Sequence, residues 1–207
     1  MKKMLFEQLL SELKLQNNFA IISINLLKEQ FIKEKEKEFD FEVNANITYT
    51  IWYSIQNYIV SLSNISKIMY GVKGKTPIDK WEKRKKERRF LREKLKLSEN
   101  SELRNRTMRN LLEHIDENIE QFVMTNPKII INRFIGPSEG SIQVGDDSLY
   151  NENFYNLRGF LTNKGELWLF NQKFNIESTF EEVIQLRDSI INLEKKLEAG
   201  ELNDIFD

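Results

Sequence analysis

His114 is the only histidine in the 207 residues, and it stands five positions after Arg109 in the stretch "MRNLLEHIDENIEQF". An imidazole is the one side chain whose ordinary pKa lets it both give and take a proton near neutral pH. A guanidinium adds permanent charge and forked donors that suit a phosphate. Together the two have the chemistry for a reaction at a phosphate. They also have a plain structural reading: a lone histidine is commonly structural, and Glu113, four residues after Arg109, can pair with it on a helix surface for about 0.3–0.5 kcal/mol.

Helical projection of residues 103–124, at about 100° per residue, gathers Met108, Leu111, Leu112, Ile115, Ile119 and Phe122 into one apolar stripe that must face a core. Arg109 and His114 flank this stripe on opposite sides, about 140° apart on an ideal helix. Arg106, Asn110 and His114 follow one another at i,i+4 on the polar back. A histidine there is poorly placed to be a core side chain.

The elements that must carry these residues are mostly helices. Up to residue 125 the only glycines are Gly71 and Gly74 and the only proline is Pro77, and apolar residues recur at three-and-four spacing. A first helix is expected from about Lys3 to Phe39, broken near "LKLQNN", with Phe19, Ile22, Leu26 and Ile32 facing inward and the charge run "KEKEKEFD" at its end. A second, buried helix spans about Asn46 to Tyr70. After the loop "GVKGKTP", Pro77 suits the first turn of a third helix over about Ile78 to Leu97. Ser98 or Ser101 is the expected N-cap of a fourth, reaching to about Met124.

Beyond "NP" the texture changes. "KIIINRFIG" and "SIQV" run apolar or alternate, and "LRGFLTNKGELWLFNQKFNI" reads as a β-hairpin joined at "NKG". A last helix is capped by Ser178 or Thr179, with Glu181 or Glu182 reaching back, and stops at Gly200. The expected fold is mainly α: a helical bundle over 1–126, a small β-hairpin insertion over 127–177, and a C-terminal helix over 178–207 packing on the same domain.

The third helix is the densest positive stretch, with Lys83, Arg84, Lys85, Lys86, Arg88, Arg89 and Arg92 interrupted by Glu82, Glu87 and Glu93. Such a run is either a solvated face or a track for a phosphate backbone, read with little sequence preference. Trp81 and Phe90 are core at helical spacing or stack bases. Trp168 and Phe170 are packing residues or part of a partner surface.

The stretch "LRNRTMRNLLEHIDENIEQF" resembles the signature of the HEPN superfamily, whose ribonucleases carry an Arg, four to six residues, then a His, usually with a polar residue directly after the Arg. Arg109, Asn110 and His114 match that pattern. Glu113, Asp116 and Glu117 complete the likeness to "RN-x-x-EH-x-DE" found in many prokaryotic members. The order of helices is also similar over about 125 residues. The resemblance implies a metal-independent endoribonuclease, of toxin or antiphage-defence type, that acts on RNA as a homodimer without a cofactor. It assigns proton transfer to His114, a phosphate clamp to Arg109 and an orienting role to Asn110, with Arg106, Glu113 and Asp116 as supporting residues. It also implies an antitoxin or other defence-system partner protein. The alternative is a catalytically inactive HEPN-like module that binds RNA, a nucleotide or a protein.

Composition narrows the classes further. The net charge is −1, so any nucleic-acid contact must come from a local patch. The chain has no cysteine, which removes disulfides, thiolate metal sites and cysteine nucleophiles. The start "MKKMLFEQLLSELK" meets acids too early for a signal peptide, and the longest apolar run, "FAIISINLL", is far below the roughly 20 residues of a membrane span. A cytoplasmic protein without a membrane contact is expected. "GPSEG" lacks the lysine of a phosphate loop, and "GDD" lacks further ligands for a metal.

Overall fold

The computed structural model describes residues 1–35, 41–125, 129–131, 133–136, 143–144, 147–148, 154–170, 172–202 and 206. It is mainly helical with a small four-stranded sheet towards the C-terminus. The helices are α1 (Lys3–Lys35), α2 (Phe41–Tyr70), α3 (Ile78–Leu95), α4 (Thr107–Glu113), α5 (Ile115–Met124) and α6 (Ile176–Glu198), with a 3-10 turn at Glu102–Arg104. No described helix is long and apolar enough to cross a membrane. The chain divides into two compact units, one of residues 1–106 and 180–207, the other of residues 107–179.

In the first unit α1 and α2 form a helical hairpin. One buried line of α1 is Phe6, Leu10, Leu13, Asn17, Ala20, Ile24 and Leu27, alternating steps of four and three, with Gln16, Ser23 and Gln30 buried beside it. Ile51, Ile55, Tyr58, Leu62, Ile65 and Met69 of α2 repeat the pattern, as do Val183, Leu186, Ile190 and Leu193 of α6. This is the spacing of side chains that interdigitate along a shared seam.

Two expectations for α1 are corrected. It is unbroken through "LKLQNN", where Asn17 Nδ2 donates to the Val183 carbonyl at 2.8 Å and Asn64 Nδ2 to Gln16 Oε1 at 3.1 Å. Phe19 and Ile22 face outward, 45% and 53% exposed, and Leu26 is only half-buried. The side chain of Ile32 and residues 36–40 lie outside the described residues.

Gly71 ends α2 at φ +72°, and a Cβ there would stand 3.1 Å from the Trp81 ring. Trp81 therefore packs on this turn, while Phe90 meets Phe6 and Phe206 edge to face, with centroids 5.9 and 6.2 Å away. Both aromatics are packing residues. Pro77 occupies the N-cap of α3.

In the second unit the expected hairpin is present, and it belongs to a larger sheet. The strands are β1 (Ile129–Ile131), β2 (Phe134–Gly136), β3 (Gln143–Val144), β4 (Asp147–Ser148), β5 (Phe154–Asn156), β6 (Arg158–Leu161), β7 (Glu166–Leu169) and β8 (Gln172–Asn175). The sheet order is β2-β6-β7-β8, with β2 parallel to β6 and the other pairs antiparallel. β1 pairs with β5 in parallel at the residue offset of the β2–β6 pair, so the two pairs follow one interrupted ladder. The β6–β7 turn needs Gly165, whose φ is +56°. Most of "GPSEG" and "GDD" lies outside the described residues.

The cap of α6 differs from expectation. Asn175 Oδ1 accepts from the Ser178 amide at 2.9 Å, so Asn175 is the capping side chain, and Thr179 is buried with its hydroxyl on the Ile176 carbonyl at 3.0 Å. Glu182 does not reach back along its own helix. It accepts from the Ser101 hydroxyl and, at 3.0 Å, from the Glu102 amide. Gly200, at φ +75°, closes the helix as expected.

Asn17 makes the only polar contact of the α1 seam that reaches a backbone carbonyl of α6 among the hydrogen bonds described. Asn17→Ala removes this bond while the Val183 carbonyl keeps its helical partner, and is expected to cost about 1 kcal/mol, read as a lower urea midpoint at unchanged slope.

Candidate active site

The expected fourth helix is divided. Ser101 caps the 3-10 turn, accepting from the Leu103 amide at 3.2 Å, and α4 begins only at Thr107. Arg106 is therefore not on the same helix as Asn110 and His114. It lies in the link before α4 and donates to the Gly71 carbonyl at 3.4 Å.

The second division falls at His114, with φ −109° and ψ 40°. A helical residue has ψ near −42°, so the chain turns here. The ladder resumes on either side: the His114 amide donates to Asn110 O at 3.1 Å, and the Asn118 amide to His114 O at 2.9 Å. Between them, Asn118 Nδ2 donates to the carbonyls of Leu111 at 3.2 Å and His114 at 2.7 Å. A side chain inserted into the backbone ladder is a recognised cause of a sharp bend. The 140° separation of Arg109 and His114 on a straight helix no longer applies.

The motif side chains remain accessible. His114 is 61% exposed at its side chain, with Nδ1 3.5 Å from Glu117 Oε2. Asn110 and Asp116 are exposed. Arg109 is mostly covered, 17% exposed, and its guanidinium is paired with Glu113. Of the apolar stripe, Met108 and Phe122 are buried, while Ile119 is 37% exposed. Phe122 meets Phe170 edge to face, with centroids 6.0 Å apart, which makes Phe170 a packing residue. Trp168 is buried under Lys173, whose ammonium is 4.3 Å from the ring centroid.

The basic run of α3 separates by environment. Lys83, Arg84, Lys85, Lys86 and Arg89 are exposed. Arg89 pairs with Glu93 at 2.9 Å and Lys85 lies 3.9 Å from Glu82. Arg92 is 12% exposed and donates to the Met69 carbonyl at 2.6 Å. Arg88 is half-buried, and burial pushes its guanidinium below the ordinary value. A second desolvated arginine was not singled out by its sequence context: burial, then the neighbouring Arg133, lowers Arg158 in the sheet unit. Among the described residues no three His, Cys, Asp or Glu side chains gather as metal ligands.

Compared with family models, curated proteins and solved structures, the chain gives no significant match.

Asn118→Ala removes the side chain that holds the bend. The expected result is a loss of about 1 kcal/mol together with slower hydrogen exchange of the Ile115 amide, as the ladder from Leu111 closes.

Proposed function

We propose that the chain is a metal-independent endoribonuclease of HEPN type, of toxin or antiphage-defence character, working through Arg109, Asn110 and His114 at a site shared by two copies. The observation that carries this reading is the exposed imidazole at a bend one turn beyond Arg109. Residues in sparsely populated backbone regions gather at functional sites, where the surroundings hold them.

In this reading His114 takes the proton from a ribose 2′-hydroxyl as the 2′-oxygen bonds to the adjacent phosphorus. The bond from phosphorus to the 5′-oxygen breaks, and that oxygen must receive a proton. One imidazole per chain supplies one proton-transfer group, so the second comes from a second copy. The products are a 2′,3′-cyclic phosphate and a 5′-hydroxyl. Arg109 meets the charge on the five-coordinate phosphorus after exchanging Glu113 for the phosphate, and Asn110 orients the phosphate or the imidazole.

Self-association has a surface to use. Leu15, Phe19, Ile22 and Leu26 form a second stripe of α1, beside Tyr53 and Val60 of α2. None of these side chains is charged, so the face can meet its own copy without like-charge repulsion. The second reading, an inactive RNA-binding module, draws on the Arg109–Glu113 pair, which already occupies the guanidinium.

In EDTA, cleavage of a mixed RNA pool is expected from the wild type and to fall by about 10²-fold or more in an equally folded His114→Ala. Silence of both, with RNA binding retained, supports the second reading. Ile22→Lys is expected to shift the protein to monomer in light scattering and to lower cleavage with it; full activity in a strict monomer removes the shared site.

A further inference from the structure

Five arginines meet at the end of α2. Arg84, Arg88 and Arg92 share one line of α3 at i,i+4 spacing, and Arg104 and Arg106 arrive from the 3-10 turn and the link after it. Arg84 donates to Thr76 at 3.1 Å, Arg92 to the Met69 carbonyl and Arg106 to the Gly71 carbonyl. The last two cap carbonyls at the end of α2, while the first meets the Thr76 hydroxyl in the loop. They do not account for the others. The Arg104 guanidinium lies 5.7 Å from the centre of the Tyr70 ring, with Arg92 also over that ring at 4.6 Å. Arg88 Nη1 is buried without a hydrogen-bond partner among the described residues, and so is Arg92 Nε.

The carboxylates nearby do not balance this charge. Glu99 is 3.6 Å from Arg92 and largely exposed, Glu87 is the chain neighbour of Arg88 and points away from it around α3, and Glu182 is committed to Ser101 and Glu102. An uncompensated, half-buried guanidinium is costly in the free protein. Arg88 Nη1 itself is closed to solvent, so an anion at the exposed part of this half-buried side chain lowers that cost through its charge. Guanidinium forks beside an aromatic ring match a phosphodiester flanked by a base, and the i,i+4 rise of about 6 Å along α3 suits a chain that carries repeated phosphates.

We propose that Arg88, beside Gly71, together with Arg92 and Arg104 over Tyr70, forms a binding site for the backbone of single-stranded RNA, with Arg88 its central phosphate contact. The choice of RNA as the nucleic acid rests on the ribonuclease reading; the anion site itself does not. The proposal divides the basic run of α3, giving Arg88 and Arg92, with Arg104, the specific contact and leaving Lys83, Lys85 and Lys86 as general positive surface.

The test is fluorescence anisotropy with a labelled 20-nucleotide single-stranded RNA of mixed sequence, on His114→Ala protein so that cleavage does not intrude. Arg88→Gln is expected to weaken binding about tenfold and to lower the slope of log affinity against log salt by about one. Lys83→Gln is expected to lose less than about threefold, and Arg88→Lys to fall between. Arg104→Gln, at an exposed position, reports on the same cluster should Arg88→Gln not fold, and is expected to lose about fivefold. Binding that Arg88→Gln and Arg104→Gln reduce no more than Lys83→Gln overturns the proposal. Arg88-dependent binding by a wild type that cleaves no RNA keeps this site and removes the ribonuclease reading; cleavage with binding indifferent to Arg88 and Arg104 does the reverse.

Discussion

The carboxylate of Glu182 fixes where the chain leaves its helical unit. It accepts from the Ser101 hydroxyl and the Glu102 amide, a few residues from Arg106, while Glu182 itself stands just inside the return at Phe180. One residue further on, the Val183 carbonyl accepts from buried Asn17. The start of α6 in this unit is thus held from two sides by polar contacts. Apolar seams with three-and-four spacing bury surface well but tolerate sliding by a turn, because one leucine resembles the next. A buried amide with a single available partner does not tolerate it, and this is how a polar residue in a seam sets register.

A different polar side chain shapes the motif. α4 has seven residues, too few to be stable on its own in water, and the bend at His114 interrupts its continuation. Asn118 Nδ2 donates to the Leu111 carbonyl, which the bend leaves without its ladder bond, and adds a second donor to the His114 carbonyl. His114 thereby stands at the N-cap of α5 with an exposed imidazole, while Arg109, one turn earlier, is packed and paired. The arrangement separates an exposed imidazole from a packed, paired cation.

The helical content, the turn at "NKG" and the stop at Gly200 were legible because each rests on local chemistry. The orientation of α1 was not. Its two stripes, Phe6–Leu10–Leu13 and Leu15–Phe19–Ile22, share the same spacing, and only the partners α2 and α6 decide which is buried. The parallel β2–β6 pairing escaped because its two strands are distant in sequence and neither announces the other. At the motif, Arg109 and His114 stand out by residue type and Asn110 by the resemblance, yet the bend could not be read, since Asn118 reads as an ordinary polar residue on the outer face. Arg104 and Tyr70 gave no signal, because their significance lies in a junction of three segments.

That junction also gathers basic side chains locally in a chain of net charge −1. The negative end of α2 and its last carbonyls meet the first of the arginines, which permits close approach of like charges. A helix end carries only about half a unit charge, so it cannot neutralise several guanidiniums. Lysines in their place would carry compact, strongly hydrated charges that resist this crowding, whereas planar guanidiniums lie against Tyr70 and donate in several directions at once. The surplus donors, buried at Arg88 and Arg92, are what distinguishes this cluster from the solvated lysines on the outer side of the same helix.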